Sequence, residues 1–279
     1  MINFNGTFLP SEENILHNNR AFLYGDGVFE TLKISNNKIL FLEDHYFRLM
    51  SSMRILRMEI PMNFTLEHLE EQILATTNAT NCSASSRVRI TVYRNNGGYY
   101  LPQTNTISYI ISASVIEKQD YSIDENHYEV DLYKDFYVTK QLLSSIKSTN
   151  KIINITGSIF AKENDFQNCM LLNESKNVIE ALNGNIFMLI GNKLITPPIS
   201  DGCLNGVMRK QIIAIAKKIE NLEVIEESIS TFDLQKADEL FITNVIKGIQ
   251  PITKYRKKEF ETKLAFELIS KLNEFIKTV

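Results

Sequence analysis

Cysteine is scarce in this chain. Cys82, Cys169 and Cys203 are the only three in 279 residues. A scattered, odd-numbered set cannot build a disulfide framework, which points to a reducing compartment and a core held by apolar packing. Charge of one sign is lacking too: 30 Lys and Arg stand against 33 Asp and Glu, a net charge of -3. That leaves no basic footprint for nucleic acid. No run approaches the roughly 18 apolar residues of a membrane-spanning helix. The opening Met1-Ile2-Asn3-Phe4-Asn5-Gly6 lacks the basic-then-apolar order of a secretory leader. The expectation is a cytoplasmic protein with neither membrane nor nucleic acid as partner. His17, His45, His68 and His127 are isolated, and neither HExxH nor a paired CxxC occurs, so no metal is expected. A Walker loop, a GxGxxG fingerprint and a GxSxG elbow are missing as well. There is no internal repeat and no low-complexity tract.

What is present reads as an ordinary globular mixture, 44% hydrophobic and 23% charged. Leu42, Tyr46, Leu49, Met50, Met53 and Leu56 recur at helical spacing, with Glu43 and Asp44 in the first turn. A second helix runs from Thr65, its N-cap, to Thr77. From Ser86 to Tyr93 the chain alternates strictly, with Val88, Ile90 and Val92 on one face and Arg87, Arg89, Thr91 and Tyr93 on the other. Thr106 to Ser114 reads as its partner strand, after the turn signal Asn95-Asn96-Gly97-Gly98. Gly25-Asp26-Gly27 reads as a strand-entry turn. The charged, weakly periodic stretch Glu117 to Asn126 marks a boundary. It divides the chain into a smaller N-terminal α/β domain, 1–118, and a larger C-terminal domain, 119–279. In the latter, Met170–Leu172, Asn185–Ile190 and Glu239–Thr243 read as strands, and 206–220 and 261–276 as amphipathic helices.

Three features carry chemistry. Lys147 sits alone among small and apolar residues in Leu142-Leu143-Ser144-Ser145-Ile146-Lys147-Ser148-Thr149-Asn150. Desolvation lowers the cost of losing its proton, and a neutral amine can form a Schiff base with a carbonyl cofactor. A solvated lysine at a strand end is the bland alternative. Glu180 places a carboxylate within an apolar stretch. The loop Ser200 to Gly206 opens a helix, whose first N–H groups offer an anion cradle. A reactive lysine, a half-buried acid and a phosphate cradle are the three needs of pyridoxal phosphate.

Six motifs carry a family resemblance in addition. They are Tyr24-Gly25-Asp26-Gly27-Val28-Phe29-Glu30-Thr31, His45-x-x-Arg48-Leu49, Ile146-Lys147-x-x-Asn150, Glu180-x-x-x-x-Asn185-Ile186-Phe187, Leu204-Asn205-Gly206-Val207-Met208-Arg209 after Leu194-x-Thr196, and Phe241-Ile242-Thr243-Asn244 before Pro251. In this order they resemble the class IV, fold-type IV pyridoxal-phosphate enzymes: branched-chain aminotransferases, D-amino-acid aminotransferases and 4-amino-4-deoxychorismate lyases. The resemblance implies an α/β fold, an α+β N-terminal domain followed by an α/β C-terminal domain, with the cofactor between them, in a homodimer acting on a small amino substrate. It implies Lys147 as the catalytic Schiff-base lysine, carried by the C-terminal domain, and Glu180 as partner of the pyridine nitrogen. Arg48 would bind the phosphate, with the backbone of Gly206 and Val207. Thr243 and Asn244 would add polar contacts to the cofactor, and Tyr24 would line the substrate side. Arg87, Arg89 or Arg94 could receive a substrate carboxylate, and Arg94 resembles the better placed. One departure stands out: Leu182 occupies the position, two after the glutamate, where the family usually has a small residue.

The shared residues cannot choose between amino transfer and loss of pyruvate from aminodeoxychorismate. Thr31, the pair Asn150-Lys151 and Asn244 resemble the lyase form, so the first expectation is a lyase making 4-aminobenzoate for folate. A branched-chain or D-amino-acid transaminase is the alternative, and a non-catalytic protein of the same fold a second one.

Overall fold

The computed structural model describes residues 1–10, 18–124 and 126–278. His17 lies outside the described residues. The chain forms two compact units, 1–119 with 146–150, and 120–145 with 151–279. The first crossing between them lies at 119/120. The lysine segment, expected in the second domain, groups with the first, because it pairs along a strand edge there.

The strands of the first unit are β1 Ile2–Phe4, β2 Thr7–Leu9, β3 Gly27–Ser35, β4 Lys38–Ile39, β5 Ser85–Arg94 and β6 Ile107–Val115. Its helices are α1 Arg20–Tyr24, α2 Leu42–Ile55 and α3 Leu66–Ala79. One six-stranded sheet runs β2-β1-β6-β5-β3-β4, antiparallel throughout. The alternation read from Val88, Ile90 and Val92 is realised: all three are fully buried, in one cluster with Val28, Leu32, Leu49 and Ile73. Each such side chain contributes roughly 1.5–3 kcal/mol by leaving water. The helices α2 and α3 cover this face. As expected, the Thr65 hydroxyl caps α3 by accepting from the N–H of His68, at 3.2 Å.

The opposite face of β3 and β5 carries Phe29, Thr31, Arg89 and Thr91, since paired residues share a face and successive ones alternate. The free length of the β3 edge is taken by Ile146–Asn150. The Phe29 N–H donates to the Lys147 carbonyl at 2.8 Å and the Thr149 N–H to the Gly27 carbonyl at 2.9 Å. Val28 and Ser148 form an antiparallel bridge. Helix α1 closes on Gly25, whose φ of 64° favours glycine. A Cβ there would also strike the Asn150 side chain.

The second unit holds β7 Glu129–Val138, β8 Asn168–Asn173, β9 Asn177–Ala181, β10 Gly184–Ile190, β11 Lys193–Thr196, β12 Glu223–Glu226, β13 Ile229–Ser230, β14 Glu239–Asn244, β15 Gly248–Ile252, β16 Lys254–Tyr255 and β17 Lys258–Glu259. With them go α4 Ile152–Glu163, α5 Val207–Ala216 and α6 Lys263–Thr278. Its mixed sheet places β9, β10, β14 and β15 side by side. The helix expected over 206–220 ends earlier, at Ala216. The core gathers Val130, Met170, Ile186, Met188, Leu240 and Ile242. Leu182 follows the end of β9 in a turn, where Asn154 of α4 donates to its carbonyl at 2.8 Å. Its side chain lies close against Gly157 of the same helix. The departure from the family pattern is therefore filled by helix packing. No helix among the described residues is long and apolar enough to cross a membrane.

Candidate active site

Strand pairing places Lys147 opposite Phe29, on the polar face of the sheet. Its Nζ lies 4.6 Å from the Phe29 ring centre. The Arg89 guanidinium lies over the same ring, 3.8 Å from its centre, and Arg89 Nε donates to the Thr91 hydroxyl at 3.1 Å. No described residue gives Arg89 an acidic partner. Partial burial, reinforced by Arg87, pulls its pKa below the usual arginine value.

Arg94 has a different setting from the one its sequence position suggested. It is buried at 6% exposure. Its Nε donates to Asp26 at 2.9 Å, Nη1 to Asn105 at 2.6 Å and Nη2 to the Leu56 carbonyl at 2.7 Å. Asp26 also accepts from Arg20 at 2.8 Å. Arg94 therefore ties the strand-entry turn to the end of α2, and Arg89 is the arginine beside the lysine. Arg87 is exposed. Tyr24, at the end of α1, is 37% exposed and tilts against Tyr100 at 5.9 Å between ring centres.

On the helix-covered face of β3, Glu30 is 1% exposed. Its Oε1 accepts from Arg48 Nε at 2.7 Å and its Oε2 from Arg48 Nη2 at 2.6 Å. His45 Nδ1 lies 2.8 Å from the same Oε2. Burial pushes the Glu30 carboxyl up, but the Arg48 guanidinium and the His45 ring outweigh it and hold it at about 2. Burial pushes His45 down from its ordinary value, against the pull of Glu30. The resulting state is an ionised acid, a charged arginine and a neutral histidine.

In the second unit, strand register brings Glu180, Asn185 and Thr243 into one row across β9, β10 and β14. A loop crosses this row. The Leu204 N–H donates to Glu180 Oε2 at 3.0 Å, and Asn185 Nδ2 donates to the Leu204 carbonyl at 2.7 Å. The loop delivers Gly206, the N-cap of α5, which no side chain caps. The first N–H groups of a helix have no intrahelical acceptor, so Gly206 and Val207 lead an anion-ready end. A Cβ on Gly206 would collide with the Asn185 amide. Thr243 Oγ1 is buried without a hydrogen-bond partner among the described residues. Asn244 instead accepts from the N–H groups of Ile246 and Lys247, at 3.1 and 2.9 Å. Sequence reasoning gave Asn185 no role of its own, because its grip on the loop depends on strand register. No group of three or more metal-ligating side chains occurs among the described residues.

The class IV aminotransferase family model matches residues 27–255. The chain belongs to the class IV aminotransferase family. A provisionally named branched-chain-amino-acid aminotransferase of Methanocaldococcus jannaschii is 28% identical over 279 residues, 100% of this chain and 96% of the relative. The crystal structure of a branched-chain aminotransferase from Thermoproteus uzoniensis with norvaline superposes with a TM-score of 0.86 at 22% identity, covering 99% of this chain and 97% of that one. A provisionally named 4-amino-4-deoxychorismate lyase from Legionella pneumophila superposes with a TM-score of 0.82 at 24% identity, covering 95% and 96%. These likenesses bear out the α/β, fold-type IV architecture.

Membership of this class IV family carries pyridoxal 5′-phosphate with it. The residues of the second unit fit that group on three counts. Glu180 is a carboxylate already oriented by a backbone N–H. Gly206 keeps the helix end open where a Cβ could not fit. Thr243 holds a buried hydroxyl that still needs a partner.

Proposed function

We propose that this protein is a pyridoxal-phosphate transaminase moving an amino group between a small α-amino acid and a 2-oxo acid. The observation that carries this reading is the platform of Phe29, which holds an amine and an acid-free guanidinium over one ring. Together they match the two ends of an α-amino acid: Lys147 at the α-carbon and Arg89 at the carboxylate, its missing counter-ion. When bound, the cofactor supplies a carbonyl carbon for the lysine and an electron sink for the substrate's α-carbon. The protein supplies the rest. Lys147 Nζ takes the α-proton and returns it as general base and acid. Arg89, fixed by Phe29 and Thr91, orients the substrate so that this transfer is short. Glu180 would hold a proton on the pyridine nitrogen. On the second unit the Thr243 hydroxyl and the N–H groups led by Gly206 and Val207 would hold the phosphate, and the family resemblance gives Arg48 of the first unit the same ligand. Tyr24 lines the substrate side, and Asn244 shapes the turn after Thr243.

Lyase chemistry on aminodeoxychorismate is the second reading, favoured by the Legionella likeness and by Thr31, which pairs with Arg89. The other sequence cues for it lose weight because local structure accounts for them. Asn150 donates to the Gly25 carbonyl at 3.2 Å, Lys151 is the N-cap residue of α4, and Asn244 closes the turn between β14 and β15. Either enzyme class needs those turns. The named relative also favours amino transfer. The order suggested by the sequence cues alone is thus reversed. The homodimer implied by the family resemblance remains part of this proposal. The exposed Phe22, Leu23, Tyr99, Tyr100 and Leu101 of the first unit support it as an apolar surface fit for a second copy.

Acceptor dependence tests the choice. The holoenzyme is given L-leucine, L-glutamate or D-alanine, with and without 2-oxoglutarate or pyruvate. A transaminase releases one equivalent of oxo acid per site and then stops until an acceptor arrives, and Lys147→Ala releases none. Many turnovers of aminodeoxychorismate to 4-aminobenzoate and pyruvate without acceptor, and no amino exchange, would make it a lyase.

A further inference from the structure

The Glu30 carboxylate stands in a row where the neighbouring inward positions are Val28, Leu32 and Ile34, all fully buried. An isolated ionised carboxylate in such a row is strongly disfavoured, and it persists only where each oxygen is engaged by a charged or polar donor. Those donors come from one face of one helix, with His45 and Arg48 three residues apart on α2. With Glu30 ionised, His45 Nδ1 must carry its proton toward Oε2. That leaves Nε2 as a bare acceptor, buried without a protein partner among the described residues. A cluster serving only to hold the core together would be better filled by apolar side chains of the same volume. What the cluster does fix is the plane of one guanidinium. Two parallel hydrogen bonds to a carboxylate, itself locked by a third donor, leave Arg48 no rotational freedom about its end group.

We infer that Glu30 and His45 are positioning residues for phosphate binding, acting through Arg48 without touching the ligand: the carboxylate aims the guanidinium and the histidine locks the carboxylate. This rests on the reading of Arg48 as the phosphate arginine. A pre-aimed guanidinium meets the anion without losing side-chain freedom at the moment of binding. The positive charge is partly countered by Glu30, so the arrangement trades raw attraction for orientation.

The test compares pyridoxal 5′-phosphate with pyridoxal, which lacks only the phosphate, by equilibrium dialysis against the apoprotein. The apoprotein is the full chain with cofactor removed, and its melting temperature and far-UV circular dichroism are recorded for each variant. Arg48→Ala establishes the underlying reading by weakening the phosphate form at least ~10-fold while pyridoxal changes little, the loss expected for a charge-assisted contact. Glu30→Gln should then weaken the phosphate form about 10-fold with pyridoxal within about twofold, and His45→Asn about 3-fold, in apoproteins that remain folded. Equal weakening of both ligands, or an unchanged ratio in Glu30→Gln, overturns the inference and leaves the cluster a core staple. If Glu30→Gln does not fold, His45→Asn decides: an unchanged ratio overturns the inference. An Arg48→Ala protein indifferent to the phosphate removes the underlying reading instead, and the inference with it.

Discussion

At the scale of single residues, the arginines of β5 differ in the partners they meet. Arg94 lies next to a turn and looks available in the sequence, yet Asp26 and Asn105 absorb it. Among the described residues, Arg89 keeps only the Thr91 hydroxyl and an aromatic face. The alternation of β5 already put Arg89 on the polar face, so its position was legible. What was not legible was that Asp26, 68 residues from Arg94, comes back to claim it. The same holds for Lys147. Its sheltered surroundings and its motif singled it out, but the ring beside it comes from a distant strand. Replacing Arg89 with Ala should lower kcat/KM for amino acids about 10- to 150-fold, since charge-assisted contacts are worth roughly 1.5–3 kcal/mol. The loss should fall mainly on KM in steady-state assays, while cofactor affinity stays near the parent value. Unchanged KM would assign the carboxylate to another residue.

At the scale of elements, the row Glu180–Asn185–Thr243 explains why a loop can present a helix end so firmly. Asn185 grips the Leu204 carbonyl, and the glycine two residues on clears the same amide. Gly206→Ala should force the Asn185 amide aside and displace the first turn of α5. Cofactor affinity should fall by at least ~10-fold, as when about 1.4 kcal/mol of contact is lost, with a smaller change in melting temperature. Equilibrium dialysis of the apoprotein checks it, and unchanged affinity would mean that the loop relaxes freely. The amphipathic helices α2, α3 and α6 were readable because one stripe of each is apolar. Helix α4 was not. Ile152, Ile153, Ile155, Thr156 and Ile159 are β-branched and lack strong helix propensity, and three of those isoleucines remain exposed. Tertiary packing against β7 and β8 makes the helix, and periodicity does not reveal that.

At the scale of the whole molecule, acid should act first on the first unit. The Glu30 carboxyl titrates at about 2 in the folded chain, against an ordinary 4.5. A depressed acid pKa contributes stability that is complete above pH 4.5 and is lost as pH falls toward about 2. The difference is on the order of 3 kcal/mol. His45, kept neutral by burial, works in the same direction below pH 6.5. The melting temperature of Glu30→Gln should therefore lie well below that of the parent at pH 7, with the gap closing as pH drops below 4.5. A gap independent of pH would show that Glu30 is not ionised in the folded state. None of this coupling was legible beforehand. The motifs containing Glu30, His45 and Arg48 were visible, but their shared carboxylate appears only when β3 meets α2.

The pairing of Ile146–Asn150 with β3 also has a bearing on how the protein comes to exist. Thr149 reaches back 124 residues to the carbonyl of Gly25. Contacts of such long sequence separation form late, because the intervening loop must close first. During synthesis, β3 emerges early and waits with part of its edge bare, a surface prone to pair with the wrong chain. The Lys147 amine reaches the Phe29 ring only after more than half of the polypeptide has left the ribosome. A fragment ending at the first crossing would carry Phe29, Arg48 and Arg89 but not Lys147. Chains terminated before residue 147 lack this amine, and it arrives together with the segment that seals the edge of β3.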